Sequence, residues 1–193
     1  SGDNVYDLRV ADNIGLIRSD TPAYIVFTAS GDITRPLIAL TAKNNDGLSW
    51  EYAYTIDSVG SFQSLMQYSA ERYYKLNADI ELNLNSIHRG EFVGHFDGQG
   101  HTVNIVDGNG LFESIRTRGI VPAVINLNLT GTGMLAENFY SGIIENCSFD
   151  VDTEAELDAG GIIAFMGGGT VRNCNVIATV TSHSGSAGGI VGK

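Results

Sequence analysis

His95, Asp97 and His101 put three side chains able to ligate a metal within a stretch of seven residues, and Gly94, Gly98 and Gly100 around them permit a tight loop. Zinc requires such groups to converge on one point, each held by a further hydrogen bond. The spacing here matches no standard ligand pattern. The simpler expectation is a glycine-built bend in which Asp97 bonds local amides and the two histidines lie on the turn.

A second candidate is the run Asp150, Asp152, Glu154, Glu156 and Asp158, which alternates with Val151, Thr153, Ala155 and Leu157. In an extended strand that alternation places the carboxylates on one face. Calcium takes several oxygen ligands, so Asp150, Asp152 and Glu154 are the candidate metal residues, and calcium is the one cofactor in question. An EF-hand loop is excluded, because its required glycine position carries Ala155. The competing expectation is a solvated strand face whose charges keep an edge soluble.

Aromatic residues form the third group. Trp50, Tyr52, Tyr73 and Tyr74, with Tyr54 beside them, offer flat faces of the kind that bind sugars, or else fill an interdomain core. Arg172 beside Asn173 and Glu145 beside Asn146 are placed to form an ion pair between neighbouring units. No set of acids and bases suited to cleaving a polysaccharide is spread over three adjacent units. Gly167-Gly168-Gly169 lacks the Lys-Ser/Thr of a phosphate loop and leads into a strand. Asn128-Leu-Thr130 and Asn146-Cys-Ser148 match the glycosylation pattern, but asparagine at a bend explains them better.

The elements that must position these groups are set by a repeat. A shift of 27 residues lays Leu135, Ala136, Gly142, Ile144, Asn146 and Cys147 on Ile162, Ile163, Gly169, Val171, Asn173 and Cys174. A third copy opens with Gly188-Gly189-Ile190-Val191, after Gly160-Gly161-Ile162-Ile163. Short β-branched runs split by Gly and Asn at this period predict a solenoid, whose coils stack because none can bury its apolar face alone. The expected fold is all-β, a right-handed parallel β-helix from about Tyr73 to Lys193. Leu135, Ile162 and Ile190 should form one inward stack, and Cys147 with Cys174 another. Asn126, Asn146 and Asn173 are expected to stack as a ladder of amides. Strands about 4.8 Å apart would allow a disulfide by distance, but side chains pointing the same way favour two buried thiols.

Upstream of the coils, Ser58 to Ala70 reads as a short amphipathic helix, capped by Ser58 and striped by Phe62, Leu65 and Met66. It suits the open end of a solenoid. Residues 1–56 read as a small antiparallel β element, with strands at Val5–Val10, Tyr24–Thr28, Pro36–Thr41 and Leu48–Tyr52 and a hairpin loop at Asn44–Gly47. The expected division is therefore 1–56 and 57–193. Tyr74 to Ile80 reads as one alternating strand continued by Leu82 and Leu84.

With 22 acidic residues, 11 basic residues and a formal charge of −11, an electropositive track for nucleic acid is excluded. The apolar runs are too short to span a bilayer, so this segment is not expected to insert in a membrane. Ser1 is not an initiator, and Gly188–Lys193 opens a coil without finishing it. The first predicts a processed secreted protein or an excised piece, and the second predicts a fragment of a longer protein.

The Gly160-Gly161-Ile162-Ile163, Gly169-Thr-Val171-Arg-Asn173-Cys174 and Gly188-Gly189-Ile190-Val191-Gly192 segments resemble the GLUG repeat. Phe92 to Val103 is similar to the F-x-G-x-F-D-G-x-G-H-T-I element that precedes such repeats in bacterial surface proteins. Gly133-Met134 and Glu137 depart from the pattern, while Asn146-Cys147 keeps it in register. The resemblance implies a parallel β-helix in a secreted or surface-anchored adhesin-like protein. It also implies a repeat found beside the protease domain of bacterial immunoglobulin A peptidases, with no established chemistry of its own. The expected function is a non-catalytic extracellular module that displays or binds a glycan or a host or matrix protein. The alternatives are a carbohydrate-active lyase or hydrolase on the same fold, and a structural spacer.

Overall fold

The computed structural model describes residues 47–67 and 70–193. The strands expected before residue 42 lie outside them, as does most of the Asn44–Gly47 loop. Leu48–Tyr52 is a turn and not a strand. The Gly47 amide donates to the Tyr52 carbonyl at 2.8 Å and the Tyr52 amide to the Ser49 carbonyl at 3.2 Å, so the turn closes on itself, while the Gly47 carbonyl at its start accepts from the Tyr73 amide.

Six parallel strands stacked in one sheet define about six turns of a parallel β-solenoid. β1 (Tyr54–Ile56) opens it and helix α1 (Val59–Gln67) follows. The first coil holds β2 (Tyr73–Leu76), β3 (Ile80–Asn83), a 3-10 turn at Leu84–Ser86 and β4 (Glu91–Phe92). The second holds β5 (His95–Asp97), β6 (Thr102–Asp107) and β7 (Gly110–Ile115). The third holds β8 (Ala123–Ile125), β9 (Asn128–Thr132) and β10 (Met134–Phe139). The fourth holds β11 (Ile143–Glu145), β12 (Ser148–Ala155), β13 (Ala159–Gly160) and β14 (Ile163–Met166). The fifth holds β15 (Thr170–Arg172), β16 (Asn175–Ser182) and β17 (Ala187–Gly188), and Val191 bridges Ile163 as a sixth begins.

Three long sheets run up the stack, β1-β2-β5-β8-β11-β15, then β3-β6-β9-β12-β16, then β4-β7-β10-β14, and a two-stranded ladder β13-β17 joins the fourth and fifth coils. The long sheets are called the first, second and third sheet below. Alternate residues point into one core, as β12 shows, where Phe149, Val151 and Thr153 are buried between exposed Asp150, Asp152 and Glu154. The 27-residue shift is the true register: Ala136 pairs with Ile163 and Ile144 with Val171. Leu135 and Ile162 are fully buried in one row, which the Ile162 amide extends by donating to the Ile190 carbonyl at 2.9 Å. Ile190 itself is 51% exposed, because no coil of the described chain covers it.

α1 begins with a reciprocal cap. The Ser61 amide donates to Ser58 Oγ at 3.3 Å and the Ser58 amide to Ser61 Oγ at 3.1 Å, which satisfies two amides that have no partner inside the helix. Its Phe62, Leu65 and Met66 are buried in the same core as the first coil's Leu76, Ile80 and Leu84. Between β2 and β3 the chain bends at Asn77–Asp79, so the expected single strand from Tyr74 to Ile80 is two strands in different sheets.

The corner between the first and second sheets is one asparagine with a left-handed backbone in three successive coils: Asn126 (φ 52°), Asn146 (φ 55°) and Asn173 (φ 53°). Asparagine tolerates this region where most residues do not. The amide ladder expected from these residues is not formed. Asn126 Nδ2 donates to Asp97 Oδ1 at 3.0 Å, and neither Asn146 nor Asn173 has a side-chain hydrogen bond. The backbone is what repeats. Their neighbours Cys147 and Cys174 are both free thiols, each donating to the carbonyl two residues back, Glu145 at 3.2 Å and Arg172 at 3.3 Å. Burial pushes the Cys147 thiol up to about 12.

Candidate functional site

His95, Asp97 and His101 do not converge on one point; each serves a different purpose. Asp97 Oδ1 accepts from the Gln99 amide at 2.9 Å and from Asn126 Nδ2, bracing the Gly98–His101 bend that takes the place of Asn126–Leu127 one coil later. His101 Nδ1 lies 3.1 Å from Asp79 Oδ1, which also accepts the Thr102 amide at 2.8 Å; these bonds hold the Asp79 carboxyl below its ordinary range. His95 points out of the first sheet and stacks on Tyr73.

The acidic strip keeps the place assigned to it, on the outer face of β12. Asp150, Asp152 and Glu154 are exposed there, alternating with the inward Phe149, Val151 and Thr153. Among the described residues no group of three or more His, Cys, Asp or Glu is placed to hold a metal. Glu154 instead meets His183 Nε2 at 2.8 Å across the ladder, a contact that raises the His183 pKa.

Other charges also join coil to coil. Arg172 Nη2 donates to Glu145 Oε2 at 2.7 Å, the pair foreseen from the repeat. Arg89 Nη1 donates to Glu137 Oε1 at 2.6 Å, which gives a purpose to the residue that departs from the repeat pattern. Glu91 is held between Arg116 and Arg118.

The aromatic group is rearranged. Tyr74 faces inward, is 4% exposed and has its hydroxyl pKa raised by burial, so it lies apart from the outward rings and lines the concavity between α1 and the β1–β2 edge. Tyr52 makes no ring contact among the described residues and belongs to the turn. The rings that do meet on the outside of the first sheet are Trp50, Tyr73 and His95. Tyr73 stacks on His95 with centroids 4.5 Å apart at 22°, and Trp50 packs edge-on against Tyr73 at 4.8 Å and lies 5.9 Å from His95. Tyr73 and His95 are register partners on adjacent strands, and the Tyr73 amide donates to the Gly47 carbonyl at 2.8 Å, which ties the Trp50 turn to β2. His95 was not legible as a member of this group. The coil that separates it from Tyr73 is 22 residues long, and the repeat visible in the sequence is 27.

Three concavities accompany these surfaces. One lies between α1 and the β1–β2 edge, lined by Tyr54, Ser61, Leu65 and Arg72 among others. Two are notches beside the end of β12: one lined by Asp107, Asn109, Thr132 and Asp152, the other by Asn109, Glu137, Leu157 and Phe165. None of the three runs the length of a sheet.

Fold and surface together define a parallel β-solenoid with inter-coil ion pairs and an outward aromatic group on the first sheet. The chain is similar in structure to a Bacteroides ovatus protein solved under the name "putative immunoglobulin A1 protease", with a TM-score of 0.58 at 19% sequence identity over 76% of this chain. The match spans about half of that protein's length, 54%. No family model and no curated protein matches the chain, so the GLUG resemblance rests on the residues quoted above. Among the described residues no helix is long and apolar enough to cross a membrane.

Proposed function

We propose that this chain is a non-catalytic extracellular module of a bacterial adhesin-like surface protein, which displays or binds a glycan or a host or matrix protein. The observation that carries this reading is the use made of its charges. Glu91, Glu137, Glu145 and Glu154 each pair with a basic side chain from another coil, so they act as rungs between coils. A hydrolase or lyase on this fold needs acids and bases free to face a bound chain in a groove. The structural neighbour, a bacterial protein whose name implies action on a host immunoglobulin, agrees with a role at the cell exterior.

The test is an array of glycans and matrix proteins probed with the purified chain, beside a reducing-end assay on neutral and acidic polysaccharides. Specific binding without turnover is the expected result. Turnover that disappears in Asp97→Ala or Glu145→Ala would overturn the reading, and silence in both assays would leave a structural spacer.

A further inference from the structure

The outward positions of a solenoid sheet are ordinarily polar, yet one outward row of the first sheet reads Tyr73, His95, Ala123 and Ile143. The row beside it runs Thr55, Lys75 and Asp97, and Lys75 faces Asp97 across the same ladder. Trp50, Tyr73, His95, Lys75 and Asp97 are all half-buried, so each keeps part of its surface in solvent. The rings fix one another by contact, and the Gly47–Tyr73 bond fixes the turn that carries Trp50, so little ordering remains to be done on binding.

The polar edges of this shelf are unspent. The indole N–H of Trp50, the Tyr73 hydroxyl, the His95 ring nitrogens, the Lys75 ammonium and Asp97 Oδ2 have no hydrogen-bond partner in the described structure. A flat apolar floor rimmed by free donors and acceptors suits a ligand with one C–H face and a ring of hydroxyls. We infer that the Trp50–Tyr73–His95 shelf binds an uncharged pyranose glycan, one sugar face lying on the rings and its hydroxyls reaching Lys75 and Asp97. This rests on the reading of the chain as a binding module and names the ligand class for it. Charge decides against an acidic glycan: the chain carries −11, Lys75 is balanced by Asp97, and burial lowers the His95 pKa, which keeps its imidazole neutral at neutral pH.

Trp50 is the sole tryptophan, so its fluorescence reports the shelf directly. The probes are cellotetraose, mannotetraose and N-acetylchitotetraose, with tetragalacturonate and sialyllactose as acidic counterparts, titrated into the intact chain. At least one neutral probe should shift the emission saturably. Tyr73→Ala should weaken that binding about tenfold, the size expected for one lost aromatic contact. Lys75→Met, at a side chain without internal partners, should weaken it with the melting midpoint unchanged, so a misfolded Tyr73→Ala leaves the test intact. Tyr140→Ala, on the third sheet, should leave it as it was. Tighter binding of the acidic probes, or neutral binding indifferent to Tyr73→Ala and Lys75→Met, overturns the assignment. Specific binding of a matrix protein with no response to any sugar also overturns it, while leaving the binding-module reading standing.

Discussion

The first two coils and the last two both add parallel strands to the first and second sheets, but they are filled differently. In the first two, Phe62, Tyr74, Phe92, Phe96 and Phe112 interlock ring to ring, Phe92 and Phe112 stacking at 4.7 Å and Phe96 meeting both edge-on. In the last two, like sits on like: Ile144 under Val171, Cys147 under Cys174, Ile162 under Ile190. Rings that interlock at different angles require each coil to differ from its neighbour, which erases the repeat. Rows of similar small side chains stack with no such requirement, and the repeat survives. Regular geometry therefore does not need a regular sequence.

The largest expected effect tests that contrast in the core. Phe112→Ala should cost about 3–5 kcal/mol in urea denaturation, against about 1 kcal/mol for Cys147→Ala, which removes a single sulfur. Equal losses would remove the distinction between the two halves. The corners come next. Asn146→Ala should cost about 1–2 kcal/mol, because alanine resists the left-handed backbone, while Asn146→Gly should be close to neutral. Asn126→Ala should cost more than Asn146→Ala, since it also removes the bond to Asp97.

The thiol row gives a pH dependence. An unfolded Cys147 ionises near pH 9, whereas the buried thiol holds its proton to about 12. Above pH 9 the unfolded chain therefore binds fewer protons than the folded one. Stability should be full below pH 9 and then fall by about 1.4 kcal/mol per pH unit until pH 12. Unfolding curves of Cys147→Ala should show a shallower fall across that window, and parallel curves would mean that the thiol ionises as readily folded as unfolded. The smallest effect belongs to the exposed rung: Arg172→Ala should lower the thermal midpoint only slightly, and a large drop would mean that this pair is worth more than an exposed ion pair ordinarily is.

Much of this architecture was legible where the rows are homologous. The 27-residue shift identified the partners of Ala136 and Ile144, and Ser58 with Phe62, Leu65 and Met66 marked the helix. The Asn77–Asp79 corner was hidden because Leu76 and Ile80 are both inward and four apart, so the two-residue alternation passes through the bend unbroken. The Trp50 turn was hidden for the opposite reason: Trp50 and Tyr52 alternate like a strand, but their backbone bonds locally. The outward aromatic group depended on pairing across a coil of 22 residues, and nothing in the sequence announces that length. Along the first sheet the successive coils from Tyr74 through Phe96, Val124, Ile144 and Val171 run 22, 28, 20 and 27 residues.

Those unequal coils have a mechanical consequence. Every ladder joins one coil to the next, so tension applied along the stack loads the strands in peel, and coils detach singly from a loose end, where sideways tension would shear whole sheets at once. Each detached coil frees 20 to 28 residues, which is about 70–100 Å of extended chain. A tether of this construction lengthens in uneven steps under load, absorbing work at each one, and the coils still in place keep their outward faces presented while it does so.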